Sequence, residues 1–186
     1  MTFDRSASRW AHCKQACSYP AGALASAKFN VAKHLTSIAD RRERLRDAFA
    51  DIQLALSHEK EDSSGLYAVR ASINRKLGHV FDAASDLERS LAIHRQNGMQ
   101  DSALGSTFSE LGFAYLYSLR LRKGLKLCEE GVTTLRAARS SPPDLARALR
   151  KLAVAYAMNG RLRKSRNALE ESQILAAKSN VHDQRR

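Results

Sequence analysis

Residues 29–178 are predicted to form an all-α stack of about four antiparallel helical hairpins. Three observations predict it: a composition poor in breakers, an internal repeat of constant period, and a seam of small residues on every second helix. The 186-residue chain contains only three prolines and nine glycines. Ala, Leu, Arg and Ser dominate, so helix costs little side-chain entropy. With 44% of residues in the hydrophobic class, the chain is long and apolar enough to bury a core without metals or disulfides.

The repeat is the strongest signal. Ala71-x-Ile73-Asn74-x-x-x-Gly78-x-Val80, Gly112-x-Ala114-Tyr115-x-x-x-Leu119-x-Leu121 and Ala153-x-Ala155-Tyr156-x-x-x-Gly160-x-Leu162 follow one another at two equal steps of 41 residues. Each unit continues with small or apolar residues at matching spacing: Ala83, Leu87 and Ser90; Gly124, Cys128 and Gly131; Ser165, Leu169 and Ser172. That spacing draws a narrow stripe along a second helix, where short side chains let two helices approach closely. A fainter copy upstream places Leu35, Thr36, Ile38 and Ala39 on a first helix and Leu45, Ala48, Ile52 and Ala55 on a second. The hairpins are expected at about 29–58, 63–95, 102–138 and 143–178.

Local signals punctuate the units. Gly78 and Gly160 are expected to end first helices in a left-handed conformation. Asp62 or Ser63, Asp101 or Ser102, and Ser140 or Ser141 ahead of Pro142-Pro143 read as helix starts. Polar stretches such as Arg95-Gln96-Asn97-Gly98-Met99-Gln100 read as the loops that lengthen the period.

Leu111-Gly112-x-x-Tyr115 with Gly124 and Cys128, and Leu152-Ala153-x-x-Tyr156-x-x-x-Gly160 with Ser165, Leu169 and Ser172, resemble the tetratricopeptide (TPR) repeat. The long-loop spacing is similar to the variant arrays of kinesin light chains and of bacterial transcription activators of the maltose-regulon type. The second unit departs from the pattern, with Arg70 and Asn74 where leucine and tyrosine are expected. The resemblance covers about 150 of the 186 residues and implies a right-handed superhelical α-solenoid scaffold that binds peptides or proteins.

A stack must cover its last apolar face. Second-helix positions that are apolar in three units (Phe49 and Leu56, Ala84 and Leu91, Leu125 and Val132) become Arg166 and Gln173 in the fourth, so the array is expected to stop there. Residues 179–186 read as a frayed basic tail. Residues 1–28 read as a capping helix carrying Trp10, Cys13 and Cys17, or as disorder.

The charge is lopsided. Residues 1–110 hold 15 basic and 13 acidic residues, whereas residues 111–186 hold 16 basic and 6 acidic, a net +10 of the total +12. The C-terminal half is therefore expected to attract an acidic peptide, nucleic acid or an anionic membrane surface.

In arrays of this kind the inner face of the first helices lines a groove. By the repeat register it comprises Arg75, Lys76, Ser109, Phe113, Leu116, Tyr117, Arg147, Arg150, Lys151, Val154 and Met158. Arginines beside an aromatic and aliphatic floor suit an acidic segment of a partner protein. Arg147 and Lys151 resemble the basic pair of the chaperone-binding subfamily. However, Ala68 and Ser72 stand where its lysine and asparagine would be, and Glu110 stands where its second asparagine would be, so that assignment is rejected. A second basic surface is expected at the turns: Arg120, Arg122, Lys123 and Lys126, with Arg161, Arg163, Lys164 and Arg166. It is the alternative site, for nucleic-acid phosphates. Self-association into a homodimer is a third expectation.

No catalytic motif is present: there is no phosphate-binding glycine loop, dinucleotide fingerprint, HExxH pair or nucleophile elbow. His12-Cys13-x-x-x-Cys17 supplies three side chains where structural zinc takes four, so no metal or cofactor is expected. Three cysteines, no run of about 18 apolar residues and no signal-peptide pattern give the expectation of a cytoplasmic, non-catalytic adaptor.

Overall fold

The computed structural model describes residues 27–31, 37–58, 63–98 and 101–183. The chain divides into two compact units, one ending at Glu61 and the other beginning at Asp62. In the first unit, a short helical segment at 27–31 precedes α1 (Ile38–His58). In the second, α2 (Ser64–Leu77) and α3 (Val80–Gln96), α4 (Ser102–Tyr117) and α5 (Leu121–Ala137), and α6 (Pro142–Met158) and α7 (Leu162–Asp183) form three consecutive hairpins. Each hairpin packs on the next, and α4 also touches α6.

The first unit corrects the upstream repeat assignment. Ile38 and Ala39 lie on the same helix as Leu45, Ala48, Ile52 and Ala55, with no turn between them. The reason is local: the Ser37 carbonyl accepts from Arg41 N at 3.1 Å and its hydroxyl from Asp40 N at 3.4 Å, which starts the helix before Ile38. Leu45, Ala48, Ile52 and Ala55 are buried along one face, and Lys28 pairs with Asp51 at 2.6 Å. Leu35 and Thr36, Trp10, Cys13 and Cys17, and residues 184–186 lie outside the described residues. At the other end α7 continues through Asp183, past residue 178.

Helix ends follow local chemistry. Asp101 caps α4, its carboxylate accepting from Leu104 N at 2.9 Å, and Ser141 caps α6, accepting from Asp144 N at 3.4 Å with Pro142 as the first helical residue. Ser63 precedes α2 without a side-chain cap. After α2 and α6 the chain turns through left-handed residues, Gly78 at φ +93° and Gly160 at φ +73°. At the equivalent point after α4 stands Leu119, at φ +58°. A side chain in that conformation costs about 1–2 kcal/mol.

The small-residue seam closes the hairpins. Ser90 Oγ donates to the Ser64 carbonyl at 3.0 Å, and Ser172 Oγ to the Ala146 carbonyl at 2.9 Å. At the matching place in the middle hairpin two glycines meet, Gly105 and Gly131. One heptad further along, Gly112 and Gly124 oppose each other. A Cβ on Gly112 would lie 2.7 Å from both Cys128 Sγ and the Gly124 carbonyl oxygen. Ala83, Leu87, Ser90, Cys128 and Ser172 are buried as the stripe requires. Leu169 departs from the stripe at 43% exposed, because among the described residues no helix follows α7 to cover it. Ala84, Leu91, Leu125 and Val132 are buried against the following hairpin, while Arg166 and Gln173 are exposed.

Two substitutions measure these constraints. Gly112→Ala is expected to lower unfolding stability by about 1–3 kcal/mol through overpacking, as read from the urea midpoint. Leu119→Gly is expected to raise it by about 1 kcal/mol through relief of the left-handed strain; an unchanged or lower midpoint would refute that account.

Candidate interaction face of the first helices

Helices α4 and α6 run side by side in the same direction, and one ion pair sets their register: Lys151 Nζ lies 2.5 Å from Glu110 Oε1. Residues 41 apart therefore face each other, so Phe113 lies level with Val154 and Tyr117 with Met158. Phe113 is half-buried against the core and packs edge-on with Tyr117, ring centroids 5.0 Å apart. Tyr117 is 63% exposed, and Val154 and Met158 are 42% exposed each. The result is an apolar strip open to solvent along two neighbouring helices.

Glu110 organises the cations beside the strip. Arg75 Nε lies 3.8 Å from its carboxylate, so three consecutive first helices meet at one acid. The Lys151 side chain is only 13% exposed. Burial pushes its ammonium pKa down, and the charge and hydrogen bond of Glu110 oppose that shift. Below the pair, Cys128 is buried and donates weakly to the Ser109 carbonyl at 3.9 Å; desolvation, set against the nearby Lys151 charge, pushes its thiol up to about 12. Arg147 pairs with Asp144 at 3.4 Å within its own helix. Arg150 is exposed and faces no carboxylate at ion-pair distance among the described residues. Lys76 is also exposed.

Two expected groove residues are not at the surface. Ser109 and Leu116 are each 1% exposed. Ser109 points to the hairpin seam at Gly131, with Oγ donating to the Gly105 carbonyl at 3.1 Å, and Leu116 belongs to the core cluster with Leu125 and Leu149. A first helix buried on two sides exposes only a narrow third. Arg75 and Lys151 are likewise compensated internally and are not free cations.

The basic residues of the turns divide into two groups. Some are engaged: Arg120 lies over the Tyr115 ring at 5.4 Å, Lys164 over Tyr156 at 5.7 Å, Arg161 is 3.8 Å from Glu129, and Lys126 is 3.8 Å from Glu130. Arg122, Lys123, Arg163 and Arg166 are exposed, with no carboxylate in reach among the described residues.

A repeated clasp joins successive hairpins. Tyr115 donates to Glu88 at 2.6 Å and Tyr156 to Glu129 at 3.0 Å, each across 27 residues. Burial and then the hydrogen bond raise both phenol pKa values. In the hairpin where Asn74 replaces tyrosine, a different network stands: Arg70 grips Asp86 through Nε at 2.9 Å and a terminal nitrogen at 2.5 Å, and Asn74 donates to Asp86 at 3.1 Å. Arg70 and Asn74 thus depart from the repeat together, as partners of one buried acid. Neither Asp86 nor Glu110 was among the expected site residues, since a lone carboxylate on a helix carries no motif.

No protein-family model matches the chain, and no curated protein matches it. Solved structures do resemble it. The BtubC (BKLC) protein from P. vanneervenii is 19% identical, with 89% of this chain and 68% of that one covered, at a TM-score of 0.67. The putative kinesin light chain of Podosopora anserina, described by nearly identical TPR-like repeats, is 17% identical over 91% and 82% of the two chains at 0.59. The MamA protein is 15% identical over 73% and 66% at 0.53. At these identities the likeness is one of fold: an all-α, TPR-like solenoid.

The Glu110 pair is testable by a mutant cycle. Glu110→Ala is expected to cost about 3 kcal/mol by stranding the buried Lys151 ammonium, and adding Lys151→Met should recover most of the loss. If the double variant is no more stable than the single in urea unfolding, Lys151 does not depend on Glu110.

Proposed function

We propose that the chain is a non-catalytic protein-interaction scaffold or regulatory adaptor, and that the first-helix face of α4 and α6 receives an extended or helical segment of a partner protein. The observation that carries this is the solvent-open strip of Tyr117, Val154 and Met158, level across two parallel helices and backed by Phe113. Water gains nothing from such a strip, and a partner that covers it removes apolar area worth roughly 25 cal/mol per Å². The resemblance in fold to TPR-like proteins supports a scaffold of this kind.

The segment is proposed to be apolar and acidic. Arg150 is free to bond a carboxylate, and Arg147 can exchange the half-exposed Asp144 for one, since their pair is 3.4 Å long and partly solvent-facing. Arg75 and Lys151 contribute indirectly: held on Glu110, they stiffen the floor on which the segment lies.

The test is affinity capture from native lysate under nuclease, comparing wild type with a Tyr117→Ser, Met158→Ser, Arg150→Glu variant and with an Arg122→Glu, Lys123→Glu variant. The reading predicts a protein retained by wild type and by the turn variant and reduced at least about tenfold by the face variant, since each lost anchor is worth roughly 1–2 kcal/mol. Equal retention by the face variant would refute it.

A further inference from the structure

The turn edge carries a feature that neither the fold nor the first-helix face uses. Leu119 is 80% exposed and Leu162 70% exposed, the two most exposed large hydrophobic side chains among the described residues from 102 to 178. Leu119 occupies the left-handed position where the sister hairpins hold glycine, so the chain accepts strain to display a leucine in water. The two turns adjoin, because Asn159 Nδ2 at the end of α6 donates to the Leu121 carbonyl at 3.3 Å. Arg122 and Lys123 follow Leu119 closely in sequence, and Arg163 and Arg166 follow Leu162 within the first turns of α7; all four are exposed and face no carboxylate at ion-pair distance among the described residues.

We infer that the edge formed by the 119–123 turn and the 160–166 segment docks on an anionic phospholipid surface. The charge suits any polyanion, but the leucines discriminate. A phosphate backbone rewards cations and offers exposed aliphatic side chains nothing. A bilayer interface rewards both, taking Leu119 and Leu162 into the acyl boundary while the arginines and lysine meet the headgroup phosphates. The preceding turn marks the limit of the surface: Phe81 is exposed there, but Asp82 brings a negative charge where the later turns have Lys123 and Lys164. No helix is long and apolar enough to cross a membrane among the described residues, so the attachment is peripheral.

Vesicle flotation tests the inference with the purified chain, phosphatidylcholine vesicles, and vesicles of phosphatidylcholine mixed with phosphatidylserine. Wild type is expected to float only with the phosphatidylserine vesicles and to be released by salt. Leu119→Gly with Leu162→Ser should lower partitioning roughly tenfold through lost apolar insertion. This variant is not expected to be less stable, so its urea midpoint separates lost docking from lost folding. Arg122→Glu with Lys123→Glu should lower partitioning by at least about tenfold. No flotation of wild type, or flotation that the leucine variant keeps in full, overturns the inference. Duplex DNA or RNA binding that the leucine variant retains, without vesicle binding, also overturns it and assigns the edge to nucleic acid.

Discussion

Close approach of paired helices is the constraint on which the second unit depends. In the α4–α5 hairpin Gly105, Gly112, Gly124 and Gly131 leave no room for a Cβ, and the flanking hairpins use Ser90 and Ser172 at the Gly131 position to bond the facing backbone. Once two helices are that near, the remaining side chains sort by geometry. Those on the seam are buried, those toward the next hairpin build the core, and a narrow third strip stays wet. That strip, on α4 and α6, is the proposed docking face.

The same packing decides what the charges do. A net positive chain of this size repels itself, and the structure relieves part of that repulsion at a few acids. Glu110 gathers Arg75 and Lys151, Asp86 takes Arg70 and Asn74, and Glu129 receives both Tyr156 and Arg161. Exposed cations that no acid takes include Arg122 and Lys123 after Leu119, Arg163 and Arg166 after Leu162, and Arg150 on the first-helix face. Compensation therefore divides the basic residues into structural and available ones, and residue type alone does not.

The division explains where the expected groove residues lie. Tyr117, Val154 and Met158 follow from a first-helix register, and the structure leaves them exposed; Ser109 and Leu116 share that helix but lie one step round it, where the seam and the core claim them. On a helix, about 100° of rotation separates a groove residue from a buried one, and a repeat alignment without coordinates resolves that step poorly when two faces are packed. The same limit misplaced the first helix boundary upstream: Ile38 and Ala39 fit the pattern of a first helix, yet the Ser37 cap starts α1 before them.

The sequence by itself determined the helices of the last three hairpins, their period, cap regions at 101–102 and 140–141, the glycine turns at Gly78 and Gly160 and the seam, because each depends on neighbours within a few turns or on spacing repeated every 41 residues. Only the tertiary structure decided which charges are spent. Arg70 meets Asp86 across 16 residues, Tyr115 meets Glu88 across 27, and Lys151 meets Glu110 across a full repeat. The physical reason is range: a cap or a stripe is written in local backbone geometry, whereas an ion pair between hairpins exists only once stacking has set the distance between two side chains.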